Sequence, residues 1–125
     1  MRNRQHERDN FMIGIDIEKT ARFEHFLDSG LKRIFSEQEI TYSKQFENKE
    51  EHLCGFFCVK EALVKALGDD ELIYSQISVL HEENGRPYIE ENDYVKSILQ
   101  KHNKRKIDIS ISHCKDTATA VVIAL

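Results

Sequence analysis

Isoleucines at positions 13, 15 and 17 alternate with Met12, Gly14, Asp16 and Glu18. Successive side chains of a strand point to opposite faces, so this spacing predicts a strand over Phe11–Glu18. One of its faces is apolar; the other carries a glycine followed by a carboxylate. The same two-residue period in Ile107, Ile109 and Ile111 predicts a strand ending at His113. Cys114–Asp116 then forms a tight connection, and Thr117–Leu125 a further strand. Asn84-Gly85, flanked by the strand-like runs Ile77–Glu82 and Arg86–Glu90, is the strongest hairpin signal in the chain. Pro87, the only proline, belongs at a strand start or edge.

Helical signals lie between these strands. Thr20–Leu27 fits a short helix with Thr20 as its N-cap, broken at Ser29-Gly30. Ser36 with Glu39 three residues on is a capping-box signature for a helix to about Phe46. Asn48 with Glu51 repeats it and opens the longest helix, which ends near Leu67 with Gly68 placed as C′. Tyr94, Val95, Ile98 and Leu99 give helical spacing over Asp93–His102. The expected product is an α+β domain, a small and mainly antiparallel sheet packed by helices on one side. Residues 1–11 read as a flexible, polar extension, and residues 12–125 as a single domain.

Composition narrows the function classes. The chain has 125 residues, 18 Lys+Arg, 22 Asp+Glu and a formal net charge of −4. Mild acidity argues against broad nucleic-acid binding. No run approaches the ~20 apolar residues of a spanning helix, so no membrane partner is expected. The first residues lack the apolar core of a secretory signal. Three cysteines, an odd number, make no disulfide framework and fit a reducing cytoplasm. Cys54, Cys58 and Cys114 lack the paired spacing of a zinc set and read as small hydrophobes. The P-loop, the G-x-G-x-x-G turn and the G-x-S-x-G elbow are all missing, which disfavours kinases, Rossmann dehydrogenases and α/β-hydrolases.

Charge placement is the most informative feature. Eleven of the fifteen residues from Leu53 to Leu67 are apolar, and only Lys60, Glu61 and Lys65 are charged. An all-round apolar helix is normally buried, so its charges must be paired, bound to metal or turned to a cleft. Glu61 and Lys65, four apart, could be an ordinary surface pair. Asp16 adds weight to the other reading, because Asp is a poor strand former. A strand carboxylate and a helix carboxylate could together hold one magnesium ion against substrate phosphates, with Lys60 and Lys65 beside them. His113 is either a strand-end histidine satisfied by backbone or a phosphate contact or proton shuttle. Asn84-Gly85-Arg86-Pro87 is either a plain turn or an anion cradle.

Four motifs then stand in a characteristic order. Ile13-Gly14-Ile15-Asp16-Ile17 resembles the opening motif of 4′-phosphopantetheinyl transferases. Phe57-Cys58-Val59-Lys60-Glu61-Ala62-Leu63-Val64-Lys65 resembles their [F/W]-x-x-K-E-[A/S]-x-x-K motif. The Asn84-Gly85-Arg86-Pro87-Tyr88 turn and the closing Ser110-Ile111-Ser112-His113 resemble the holo-acyl-carrier-protein synthase branch. The resemblance covers residues 12–125.

That resemblance implies transfer of the 4′-phosphopantetheine arm of coenzyme A to a serine of apo-acyl carrier protein, releasing 3′,5′-ADP, in fatty acid biosynthesis. It implies a magnesium ion held by Asp16 and Glu61. It places Lys65 on the phosphate nearest the breaking bond, and matches Lys60 to the lysine that precedes the metal glutamate among the coenzyme A-binding residues. Gly85, Arg86 and Pro87 line the nucleotide, and Ser112 and His113 the phosphates. Arg22, with Lys19, Lys32 and Arg33 adding to the basic patch, faces the acidic carrier protein. It implies a homotrimer with coenzyme A between neighbouring subunits. The base is open between Glu61, a metal-bound water and His113. Two departures stand out: Phe56 replaces an arginine that often reaches the 3′-phosphate, and Cys114 replaces a threonine. The competing readings are a magnesium-dependent phosphohydrolase of coenzyme A-like diphosphates, and a binding module for an acidic partner.

Overall fold

In strand β1 (Met12–Lys19), Gly14 and Asp16 turn inward and Ile13, Ile15 and Ile17 turn to solvent. A computed structural model describes residues 11–26 and 28–125. Apart from Phe11, the extension expected over residues 1–11 lies outside the described residues. After β1 come α1 (Asp28–Ile34), α2 (Glu37–Ser43), α3 (Lys49–Leu67), β2 (Val79–His81), β3 (Pro87–Ile89), α4 (Asp93–Lys101), β4 (Ile107–Cys114) and β5 (Thr117–Ala124).

The strands form two antiparallel sheets, one in the order β1-β5-β4 and the other the β2-β3 hairpin. β5 is central, pairing Val121 with both Ile15 and Ser110. Its alternation sends Ala118, Ala120, Val122 and Ala124 into the core. Small residues there let α3 lie close on the sheet: Ala62 and Ala66 stand over Gly14, Gly55 faces Ile111, and Cys58 Sγ meets the Ala118 carbonyl at 3.4 Å. Burial of this apolar surface, at ~25 cal/mol per Å², is the main force holding the helix to the sheet.

Several helix signals read as expected. Ser36 Oγ accepts from the Glu39 amide while the Glu39 carboxylate accepts from the Ser36 amide. Gly68 ends α3 at φ 65°. Others differ for identifiable reasons. The Asn48 backbone is not extended, so its side chain donates to the Glu51 carboxylate at 2.7 Å instead of capping. Of the helix expected over Thr20–Leu27, Thr20–Phe23 forms a single 3₁₀ turn with Thr20 inside it and not as its cap, and Leu27 lies outside the described residues. Ser29-Gly30 lies inside α1, not at a break. Glycine costs a helix ~1 kcal/mol, but the burial of Leu31 and Phe35 that this helix brings outweighs it.

Candidate active site

The approach of β1 to α3 depends on Gly14. A Cβ there would sit 1.9 Å from the Ala62 carbonyl oxygen and 2.7 Å from the Ala66 nitrogen. With no side chain in the way, Asp16, one pleat further on, comes against the Glu61 turn of α3. Glu18, on the same strand face, completes a trio: each of Asp16, Glu18 and Glu61 offers an oxygen within 4.8 Å of the others.

The electrostatics of the trio are unbalanced. Lys65 Nζ lies 3.2 Å from Asp16 Oδ1 and 3.0 Å from the Ile15 carbonyl. Asp16 Oδ2 is buried and has no hydrogen-bond partner. Burial and the neighbouring Asp16 push the Glu18 carboxyl above the usual carboxylate range, against the pull of Arg22 at 3.0 Å. The Tyr74 hydroxyl donates to Glu61 Oε2 and fixes that side chain. Burial, then Glu61, pushes the Tyr74 phenol up, so it stays a donor. Thr119 Oγ1 donates to the Asp16 carbonyl at 2.8 Å and pins the strand. A shallow cavity of about 380 Å³ opens here, lined by Ile15, Asp16, Ile17, Lys65 and Thr119.

A second cavity, about 180 Å³, lies along the first turns of α3 and shares no lining residue with the first. Glu51, His52, Phe56, Gly85, Pro87 and His113 are among its walls. His113 Nδ1 lies 2.8 Å from Glu51 Oε1. A carboxylate only accepts, so Nδ1 is the donor in this contact. Gly85 turns the β2-β3 hairpin at φ 90°, a conformation that favours glycine. Arg86 is exposed on that turn.

The residues singled out in the sequence therefore fall into groups. Asp16, Glu61 and Lys65 come together; Gly85, Pro87 and His113 come together elsewhere. Ser112 lies on the opposite face of β4 from His113, beside Ile15 and Thr119. Arg22 covers the Phe57 ring at 4.6 Å, Lys19 pairs with Asp116 at 3.6 Å, and Arg33 is exposed on α1.

Lys60 requires a correction. The placement of charge along the helix suggested a position beside substrate phosphates, but its side chain is 0% exposed and its ammonium donates to Glu39 at 2.6 Å, Ile34 O at 2.7 Å and Tyr74 O at 2.8 Å. All three protons are used, so it is a structural cation. The sequence reading missed Glu18, Tyr74, Glu39, His52 and His81. Glu18 was within reach, since it stands two residues from Asp16 on the same strand face.

This geometry sits in a known fold. The profile of the 4′-phosphopantetheinyl transferase superfamily matches residues 12–123, and the chain belongs to that superfamily. Its relatives within it include holo-[acyl-carrier-protein] synthases. That of Caldanaerobacter subterraneus subsp. tengcongensis is 34% identical over 118 residues, covering 90% of this chain and 93% of the relative. That of Nautilia profundicola is 34% identical over 121 residues, 91% of this chain and 99% of the relative. Among solved structures, the Neisseria meningitidis synthase superposes with TM-score 0.81 at 25% identity, covering 91% of this chain and 97% of its own. The Helicobacter pylori synthase in complex with coenzyme A gives TM-score 0.79 at 32% identity, covering 91% and 100%.

Proposed function

We propose that this chain transfers the 4′-phosphopantetheine group of coenzyme A to a serine of apo-acyl carrier protein, giving the holo-carrier and 3′,5′-ADP for fatty acid biosynthesis. The observation that carries the reading is the convergence of Asp16, Glu18 and Glu61 beside Lys65, with Asp16 Oδ2 buried and unpartnered. An all-oxygen donor set with an orphaned carboxylate oxygen fits a hard divalent cation such as magnesium. Asp16 and Glu61 would hold it, with Glu18 as a third oxygen donor, and when bound it supplies positive charge that favours departure of a diphosphate.

In the reaction the serine Oγ attacks the β-phosphorus of coenzyme A. The bond from that phosphorus to the bridging oxygen breaks, and the electron pair leaves with 3′,5′-ADP. Lys65, half exposed and close to the carboxylates, neutralises charge growing on the departing phosphate. Glu61 and His113 are the two residues proposed to accept the serine proton. Tyr74 occupies Glu61 Oε2 and leaves Oε1; Glu51 occupies His113 Nδ1 and leaves Nε2. Gly85, Arg86 and Pro87 line the nucleotide, while Ser112, on the Ile15–Thr119 side of β4, is assigned to the phosphates. Arg22, Lys19 and Arg33 orient the acidic carrier protein, a patch that speeds encounter.

The active form is a homotrimer with coenzyme A between subunits. Two observations support it: the uncovered isoleucine row of β1, exposed by 61–65%, and the split of the site into two separate cavities on one chain. The work is done in the reducing cytoplasm, consistent with free Cys54, Cys58 and Cys114. Among the described residues, no helix is long and apolar enough to cross a membrane.

The test is a mass-shift assay on apo-acyl carrier protein with coenzyme A and magnesium. Transfer is expected, and Asp16→Ala or Glu61→Ala should lower turnover by on the order of 10²-fold or more. Release of nucleotide from coenzyme A at the same rate without carrier would favour the phosphohydrolase reading. Family membership speaks against that outcome.

A further inference from the structure

We infer that Tyr74 is a positioning residue of the reaction: its hydroxyl holds one oxygen of the Glu61 carboxylate, so that the other alone is presented to the divalent cation. This inference rests on the transferase reading above and on Glu61 as a cation ligand within it.

Lys60 and Glu61 are neighbours on α3, yet their side chains grip one tyrosine at opposite ends. Lys60 Nζ donates to the Tyr74 carbonyl at 2.8 Å, and the Tyr74 hydroxyl donates to Glu61 Oε2. Between these two bonds the ring meets the buried Phe57 ring edge to face, at 6.1 Å and 67°. Among the described residues, Tyr74 is the one side chain that hydrogen-bonds the Glu61 carboxylate. Lys65, one turn further along α3, is turned to Asp16 at 3.2 Å instead.

The tyrosine is itself held firmly. It opens the 3₁₀ turn Tyr74–Gln76. Just before it, the Ile73 amide donates to the Tyr94 hydroxyl at 2.7 Å. At the far end of the turn, Asn92 Nδ2 donates to the Gln76 carbonyl at 3.0 Å. The Lys60 ammonium that holds the middle of the turn is anchored on Glu39 at 2.6 Å, where neither side chain reaches solvent. A row of bonds therefore runs from the ion pair in the core, through the tyrosine, to the edge of the carboxylate trio.

A glutamate side chain turns about several bonds, and a carboxylate can bind a cation through one oxygen or through both. Donation into Oε2 removes that freedom and leaves Oε1 as the available oxygen. A partner behind a metal-binding side chain orients it in this way, at no cost in reorganisation when the cation arrives.

The test titrates manganese, which suits the same oxygen donors as magnesium, into the full chain with coenzyme A and no carrier protein, following loss of the free-ion EPR signal. Tyr74→Phe keeps the ring against Phe57 and the carbonyl on Lys60. It is expected to fold with the wild-type unfolding midpoint and to bind manganese about tenfold or more weakly, the scale of losing a partner behind a metal ligand. The kcat for transfer should fall by a similar factor, with KM for the carrier protein unchanged. Tyr74→para-aminophenylalanine, whose N–H donor stands where the hydroxyl does, is expected to restore both. Wild-type manganese affinity in Tyr74→Phe overturns the inference and spares the transferase reading. So does a Tyr74→Phe protein that fails to fold, one whose unfolding midpoint and carrier KM change along with manganese affinity, or a defect that the para-amino variant leaves in place, each of which assigns Tyr74 to the fold. A wild-type chain that neither binds manganese nor transfers overturns both.

Discussion

Lys60 Nζ and Glu39 Oε1 lie 2.6 Å apart, and neither side chain reaches solvent. Glu39 also accepts the amides of Ser36 at 3.0 Å and Val79 at 2.8 Å. One ion pair therefore ties α2, α3 and β2 together. Burial pushes the carboxyl up and the ammonium down, and each charge is kept by the other. Removing one partner leaves an unpaired buried charge. Lys60→Met is expected to cost about 3–5 kcal/mol in urea unfolding, and Lys60→Met/Glu39→Gln, which removes the orphaned charge and keeps an acceptor for the backbone amides, to recover part of it. A stable Lys60→Met protein with weakened coenzyme A binding would instead return this lysine to the substrate.

Gly14→Ala tests the contact that brings the carboxylates together. Its methyl would overlap backbone atoms of α3, which cannot rotate away as a side chain can. Stability should fall by about 3 kcal/mol, and turnover should fall further than the unfolded fraction explains. Denaturation and transfer rate measured on the same preparation separate the two effects.

Glu18 is the third carboxylate of the trio. In Glu18→Gln, the magnesium concentration for half-maximal turnover should rise by about tenfold or more, the scale seen when a metal site loses a supporting oxygen. An unchanged magnesium requirement would confine the ion to Asp16 and Glu61.

Asp69, just past the end of α3, accepts from His102 at 2.7 Å, Lys101 at 3.2 Å and the Glu71 amide at 3.0 Å. The His102 bond, chief among these, lowers its carboxyl to about 2. The folded form thus holds the charged carboxylate more tightly than the unfolded chain does. Its stabilisation is complete above the ordinary carboxylate value near 4 and is lost as pH falls from about 4 to about 2. Urea midpoints from pH 5 downward should decline less steeply over that window for Asp69→Asn than for the wild type.

The uncovered row Ile13, Ile15 and Ile17 gives the assembly its test. Ile13→Asp places a charge in the proposed subunit contact. Sedimentation should show trimers giving way to monomers, with transfer lost although each chain stays folded.

The sequence by itself determined the elements wherever a local rule decides them. The Ser36–Glu39 box, the Gly68 stop, the turn at Asn84-Gly85 and the isoleucine periods each depend on a few neighbouring residues. It also brought Asp16, Glu61 and Lys65 forward, because charge in apolar surroundings requires a partner. Tertiary structure alone decided the rest. A two-residue period tells which side chains share a face, not which face meets the core; here close packing at Gly14 turns the isoleucines outward. Local propensity at Ser29-Gly30 yielded to the burial of Leu31 and Phe35. Lys60 and Glu39, 21 positions apart, and the rings of His52, His81 and His113 meet only because the chain folds back on α3. Long-range pairing of charges and rings follows from how helices and sheets stack, which no local spacing encodes.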